Sequence, residues 1–85
     1  MESYDGEWYQ GMRHGVGNWI QIGTQFRYMG QWRNNRPEGY GILKSKEGDI
    51  YEGEFMSGLK HGKGIEKFHD GALFVGNLRG GQPSG

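Results

Sequence analysis

One skeleton recurs along the chain at a nearly fixed spacing, and that recurrence restricts the fold more than any other feature. Its fullest copy is Tyr51-Glu52-Gly53-Glu54-Phe55, a polar stretch centred on Gly58, then Gly62-Lys63-Gly64. An earlier copy runs Tyr4, Gly6, Trp8, Gly11, Gly15, Gly17, and another runs Tyr28, Gly30, Trp32, Asn35, Gly39, Gly41. A fourth begins with Phe74, Gly76, Leu78 and Gly81. The leading aromatic advances from 4 to 28, 51 and 74, a period of 24, 23 and 23. Self-similarity at a fixed period of this size is the signature of a repeat architecture, in which each unit buries its apolar side by stacking on its neighbours.

Within a unit the leading segment alternates. Tyr4, Gly6 and Trp8 interleave with Asp5, Glu7 and Tyr9, which is the strand period. A turn over Gln10 to Gly15 follows, with Gly11 and Gly15 at positive φ, and then a second strand over Val16 to Ile22, rich in β-formers. The second unit places strands at Tyr28 to Trp32 and Tyr40 to Lys46. There Asn35 stands where Gly11 and Gly58 stand, as expected if the site needs the left-handed region that Asn tolerates. The third unit runs Tyr51 to Phe55 and Lys63 to His69. The fourth supplies Phe74 to Leu78, with a return strand that would begin only at Gly85. Pro37 and Pro83 fall in the hairpin turns, where a missing N–H costs nothing. The first joint, Gly23-Thr24-Gln25, is one residue longer than those at Glu47-Gly48-Asp49 and Asp70-Gly71, which accounts for the period of 24. Glycine supplies 18 of 85 residues. That density excludes a substantial helix, since each helix-interior glycine costs roughly 0.5–1 kcal/mol, and the absence of Gly-X-Y order excludes collagen.

The pattern is also a packing code. In a strand the two aromatics and the glycine between them share a face, so the rings lean across the glycine. The Gly-x-Gly of the second strand leaves matching room. Stacked units would lay Tyr4, Tyr28, Tyr51 and Phe74 in one row and Trp8, Trp32, Phe55 and Leu78 in another, each large ring burying on the order of 150–250 Å². With only 33% hydrophobic residues, the expected fold is all-β: a thin, elongated single layer rather than a deep two-layer core. The opposite face carries Asp5, Glu7, Glu52 and Glu54 on first strands and Lys44, Lys46, Lys63 and Lys67 on second strands. It reads as a solvated, charge-paired surface.

Several function classes are disfavoured. Ten basic residues balance ten acidic ones, which removes the general drive toward nucleic acid or an anionic membrane. No cysteine is present, so disulfide and thiolate chemistry are excluded and a reducing, cytoplasmic setting is favoured. No apolar run reaches the length of a membrane span or a signal core. His14 and His61 occupy equivalent positions four strands apart, about 19 Å at 4.8 Å per strand, too far to share a metal whose ligands sit about 2 Å away. His69 stands alone toward the other edge. Ser3, Ser45, Ser57 and Ser84 lack a histidine and carboxylate in any catalytic arrangement, and the Gly-x-Gly pairs open no helix that would cradle phosphate. No catalytic residue, cofactor or metal is expected.

Tyr-Glu-Gly-Glu-Phe at 51–55 with Gly-Leu-Lys-His-Gly-Lys-Gly at 58–64, and Tyr-Asp-Gly-Glu-Trp at 4–8 with His-Gly-Val-Gly at 14–17, resemble the motif of MORN (membrane occupation and recognition nexus) repeats. The resemblance runs from Tyr4 to Gly81, with repeats at about 4–25, 28–48 and 51–71 and a partial repeat at 74–85. Asn35, Glu38, the longer first joint, Phe74 and Leu78 depart from the motif without breaking it. The resemblance implies stacked β-hairpins in a long, twisted, single-layer antiparallel sheet curved into a groove. It implies no activity of its own, and it implies binding of proteins, self-assembly or binding of phospholipid, in cytoskeletal, ciliary or membrane-junction assemblies.

Two surfaces follow as candidates. Tyr9, Trp19, Tyr28, Trp32, Tyr40, Tyr51 and Phe55 would offer aromatic surface to a partner helix or strand in the groove. Arg13, Arg33, Arg36, Lys60, Lys63 and Arg79, in or beside the turns, would line one edge and offer it to anionic phospholipid. The bland alternative is a solubilising edge. The uncapped strand Tyr4 to Trp8 and the unfinished fourth hairpin would leave open edges, suited to self-association. The expected function is a non-catalytic scaffold that binds a partner protein, with peripheral membrane attachment through the basic edge as the alternative.

Overall fold

A computed structural model describes residues 2–84. Among them every regular element is a strand: β1 Glu2–Tyr9, β2 Met12–Gln21, β3 Phe26–Arg33, β4 Arg36–Lys44, β5 Ile50–Met56, β6 Leu59–Lys67, β7 Leu73–Arg79 and β8 Gln82–Ser84. They form one eight-stranded antiparallel sheet in chain order. All substantial contacts join strands adjacent in sequence, so the hairpins stack as a one-dimensional array measuring 38 × 26 × 15 Å.

The turns are tighter than the sequence suggested. They are two-residue turns at Gln10-Gly11, Asn34-Asn35, Ser57-Gly58 and Gly80-Gly81, and all eight residues have positive φ, between 51° and 87°. That is the type I′ geometry whose twist matches the flanking strands. The second strands therefore begin at Met12, Arg36 and Leu59, each four residues before the expected start, and Pro37 lies in β4 opposite Trp32 rather than in a turn. The return strand of the fourth hairpin is also present. It begins at Gln82, not Gly85, and pairs Arg79 with Gln82 and Leu78 with Pro83.

The first glycine of the Gly-x-Gly pair in the first three units has another task. In the first hairpin Gly6 pairs with Gly17 but Trp8 pairs with Arg13, so β2 carries extra residues opposite Glu7. The same bulge recurs opposite Gln31 and Glu54. Gly15, Gly39 and Gly62 sit in these bulges at φ 75°, 89° and 69°. The Glu7 carboxylate accepts from the Val16 backbone N–H at 2.6 Å, and the Gln31 amide oxygen accepts from the Tyr40 N–H at 2.8 Å. The Glu54 carboxylate lies against Gly62, where a methyl would meet it. Glu7 and Glu54 thus serve the bulge and are not simply free surface charges.

The core occupies one face. Its buried members are Tyr28, Trp32, Tyr51, Phe55 and Leu78, with Tyr4, Trp19, Leu43 and Phe74 packed against them. The rings interleave rather than forming two separate rows. Trp32 meets the rings of Tyr28 and Tyr4 edge-on at 5.1 and 5.3 Å, and Phe55 meets those of Tyr51 and Tyr28 at 5.2 and 4.9 Å. These are the edge-to-face contacts aromatic quadrupoles prefer. Each Tyr hydroxyl donates to a backbone carbonyl three residues on: Tyr4 to Glu7, Tyr28 to Gln31 and Tyr51 to Glu54, at 2.8–2.9 Å. Phe74 has no hydroxyl to do so. Burial pushes the Tyr28 and Tyr51 phenols upward, which keeps them protonated donors.

Successive hairpins are also fastened to one another at the turn edge, and the third hairpin is clasped across its own open end. On the turn side Asn35, Gly58 and Gly81 donate their backbone N–H to the carbonyls of Arg13, Pro37 and Lys60, at 2.9–3.1 Å. On the joint side His69 is clasped to Asp49, through its backbone N–H at 2.8 Å and its Nδ1 at 2.9 Å. Bonding and attraction between the two raise the His69 pKa above 6.5 and hold Asp49 below 3.8. Protonation of His69 therefore favours the folded clasp up to pH 6.5, and this contribution is lost as pH rises through the raised value. Ionisation of Asp49 favours it above pH 3.8, and this contribution is lost as pH falls through the lowered value. An NMR titration of the His69 ring is expected to give a midpoint above 6.5 that falls in Asp49→Asn. An unchanged midpoint in that variant would separate the two groups.

Candidate interaction surface

Strand alternation divides the side chains into a ring face, which holds the core, and a reverse face. On the ring face the register aligns Tyr4, Trp19, Tyr28, Leu43, Tyr51, Glu66 and Phe74 across seven strands. Tyr28, Trp32, Tyr51 and Phe55 are only 1–5% exposed and engaged with one another. Trp19 is half-buried there, its indole N–H donating to Glu2 Oε1 at 2.9 Å. Tyr9 and Tyr40, by contrast, lie on the reverse face and are exposed. The seven aromatics are therefore not one groove lining.

The basic residues also divide. Arg13 and Lys60 occupy equivalent positions, shared with Pro37 and Pro83, and turn onto the ring face. The Arg13 guanidinium lies 4.8 Å from the Trp32 ring centre, contacts Glu2 Oε1 at 3.1 Å and donates to the Asn35 carbonyl at 3.2 Å. Lys60 pairs with Glu66 at 3.0 Å, its ammonium 5.2 Å from the Tyr51 ring centre. Arg33, Arg36, Lys63 and Arg79 are exposed. Arg33 and Arg36 face each other across the second turn. His14 packs against Tyr9, with ring centres 5.4 Å apart. Among the described residues no three His, Cys, Asp or Glu side chains gather as a metal site would require.

The reverse face holds what the sequence reading did not single out. One register row there runs Asn18, Met29, Ile42, Glu52, Ile65, Val75 across six strands, and the next runs Ile20, Arg27, Lys44, Ile50, Lys67, Leu73. Leu73 and Val75 are 60% and 65% exposed, and Val16 on the neighbouring row is 60% exposed. Two adjoining depressions lie along these rows. One is lined by Ile20, Ile22, Arg27, Lys44 and Lys46, the other by Ile42, Lys44, Ile50, Glu52, Ile65 and Lys67. The available signal was the period-two partner set of the aromatic motif, read across copies instead of along one strand.

A stack of type I′ hairpins with a ring-filled face and an open, partly apolar reverse face defines a repeat module that presents surfaces rather than an enclosed cavity. The MORN repeat family model matches residues 4–20, 28–50 and 51–73, and the chain belongs to the MORN repeat family, a family of non-catalytic interaction modules for proteins and membranes. It is similar to Alsin of Rattus norvegicus and to Alsin of Mus musculus, in each case 35% identical over 63 residues, covering 68% of this chain and 4% of the relative. The chain thus spans a small fraction of the length of these relatives.

Proposed function

We propose that this chain is a scaffold module that holds a partner protein, in a cytoplasmic assembly of cytoskeletal or ciliary type. The observation that carries this reading is the asymmetry of the sheet. Apart from Trp8, which is 58% exposed on β1, the large rings of the ring face pack on one another, while Val16, Leu73 and Val75 stand mostly exposed on the other side, in company with Met29, Ile42 and Ile65. Contiguous apolar surface rimmed by polar residues is the mark of a protein contact. Of the aromatic candidates, Tyr9, Trp19 and Tyr40 keep surface to offer.

The test is affinity capture with mass spectrometry, comparing the native chain with an Ile65→Lys/Val75→Lys variant. Both positions are solvent-facing, so the unfolding midpoint is expected to change little. Recovery of the chief partner is expected to fall at least tenfold. Unchanged recovery would remove the reverse face as the binding site. The alternative, anionic phospholipid at the turn edge, is supported by the exposure of Arg33, Arg36, Lys63 and Arg79, but Glu2 and Glu66 already engage Arg13 and Lys60. Salt separates the two: lipid attachment collapses as ionic strength rises, whereas apolar docking holds or tightens.

A further inference from the structure

We infer that the reverse face is a cradle for an acidic amphipathic helix lying across the strands, an inference that rests on the scaffold reading above. Its site is the pair of register rows described there. The row Ile20, Arg27, Lys44, Ile50, Lys67, Leu73 contains three cations and no acid. Arg27, Lys44 and Lys67 are exposed. Among the described residues, the ion pairs are Arg13–Glu2, Lys60–Glu66 and His69–Asp49, so these three cations have none. Beside them runs the row of Met29, Ile42, Ile65 and Val75, broken only by Glu52. The two depressions join at Lys44, which lines both. The surface is thus an aliphatic floor with a line of uncompensated positive charge along one side.

Dimensions choose the occupant. From β2 to β7 is five strand spacings, about 24 Å, and two rows are about 7 Å apart. An α-helix is about 10 Å thick with side chains, and about 16 residues span 24 Å at 1.5 Å each. The band runs across the strands, so it does not suit an added strand, which pairs at a sheet edge. Arg27 and Lys44 stand on neighbouring strands about 4.8 Å apart, close to one helical turn. Lys44 and Lys67 are two strands apart, about 9.6 Å, or six to seven helical residues. The complementary helix therefore carries acids at about i, i+4 and i+11, with aliphatics on the adjoining stripe to meet Ile42, Ile50 and Ile65. A flat anionic membrane fits less well, because Asp5, Glu7, Glu52 and Glu54 share this face and would meet it too. A helix laid over the two rows from β2 to β7 meets only Glu52 among these.

The test uses the whole chain with methyl-labelled isoleucine and two synthetic helical peptides of about 16 residues. Both carry the same leucine stripe. One bears Glu at i, i+4 and i+11, and the other bears Lys at those positions. The Glu peptide is expected to shift the methyls of Ile42, Ile50 and Ile65 and to bind at least tenfold tighter than the Lys peptide, with affinity falling as salt rises. The variant Arg27→Glu/Lys44→Glu/Lys67→Glu, its fold checked by its NMR dispersion, is expected to reverse that preference. Equal affinity for the two peptides, or shifts confined to ring-face residues such as Trp19, would overturn the inference. So would shifts of these methyls by phosphatidylserine vesicles but not by the Glu peptide. If the Ile65→Lys/Val75→Lys variant loses its captured partner while the two peptides bind alike, the scaffold reading stands and the acidic helix does not.

Discussion

Trp32→Ala is expected to lower the free energy of unfolding by about 3–5 kcal/mol, a large part of the roughly 4–13 kcal/mol that a chain of this length commands. The ring is 4% exposed. It meets Tyr28 of its own hairpin and Tyr4 of the preceding one, donates its indole N–H to the Gly17 carbonyl at 3.1 Å and underlies Arg13. Truncation therefore opens the seam between the first two hairpins instead of weakening the sheet evenly. Urea unfolding measures the total. Amide exchange locates it, with protection in β2 expected to fall before protection in β6. Trp32→Phe is expected to restore most of the loss, because Phe55 already serves at the same position of the third unit. A cost under about 1 kcal/mol, or a uniform loss of protection, would contradict the seam.

Gly41→Ala is expected to cost about 1–3 kcal/mol, for a reason unrelated to backbone freedom. Gly41 does not have positive φ. A methyl there would run into the Tyr28 ring. That ring has nowhere to go: it is 1% exposed, held by Trp32 and Phe55, and tethered through its hydroxyl to the Gln31 carbonyl at 2.8 Å. Gly23 is the matched control. It lies in the first joint, also without positive φ, and a methyl there would meet nothing within 4 Å. Gly23→Ala is expected to be neutral or to stabilise by up to about 1 kcal/mol by restricting the unfolded chain. Equal urea midpoints for the two variants would show that ring contact is not what requires glycine at position 41.

The hairpin array was legible in the sequence because the aromatic-x-Gly-x-aromatic segment fixes a strand and its buried face in five residues. The turns were only half legible. Gly11 and Gly15 both need positive φ, and nothing local distinguishes a turn glycine from a bulge glycine. Gly15 was therefore drawn into the turn, and the start of the second strand moved with it. Pro37 reinforced the error, since a proline reads more naturally as turn than as the partner of Trp32. Glu7 and Glu54 looked like surface charges because the Val16 N–H that Glu7 accepts from and the Gly62 backbone that Glu54 lies against are brought to them only once the bulge forms. The reverse-face aliphatics were hidden for a related reason. Along the chain Met29, Ile42, Ile65 and Val75 lie 13, 23 and 10 residues apart, and they come together on one face only when the strand register is known. Tyr9 and Tyr40 were grouped with the ring-face aromatics by residue type, although their strand parity already assigned them to the other side.

The strands run across the long axis of the molecule, so the hydrogen bonds between them lie along it. Seven spacings of about 4.8 Å make up most of the 38 Å length. A tensile load applied to the two end strands is then carried by one ladder after another in series, and each ladder can part bond by bond from its end. Such a structure peels at modest force and in discrete hairpin-sized steps, unlike sheets whose strands are loaded in shear along their length. The turn-edge bonds Arg13–Asn35, Pro37–Gly58 and Lys60–Gly81 are placed to resist the start of that peeling at each seam between hairpins, and Asp49–His69 resists it within the third hairpin. Held between two anchored partners, the array would act as an extensible link, lengthening one hairpin at a time.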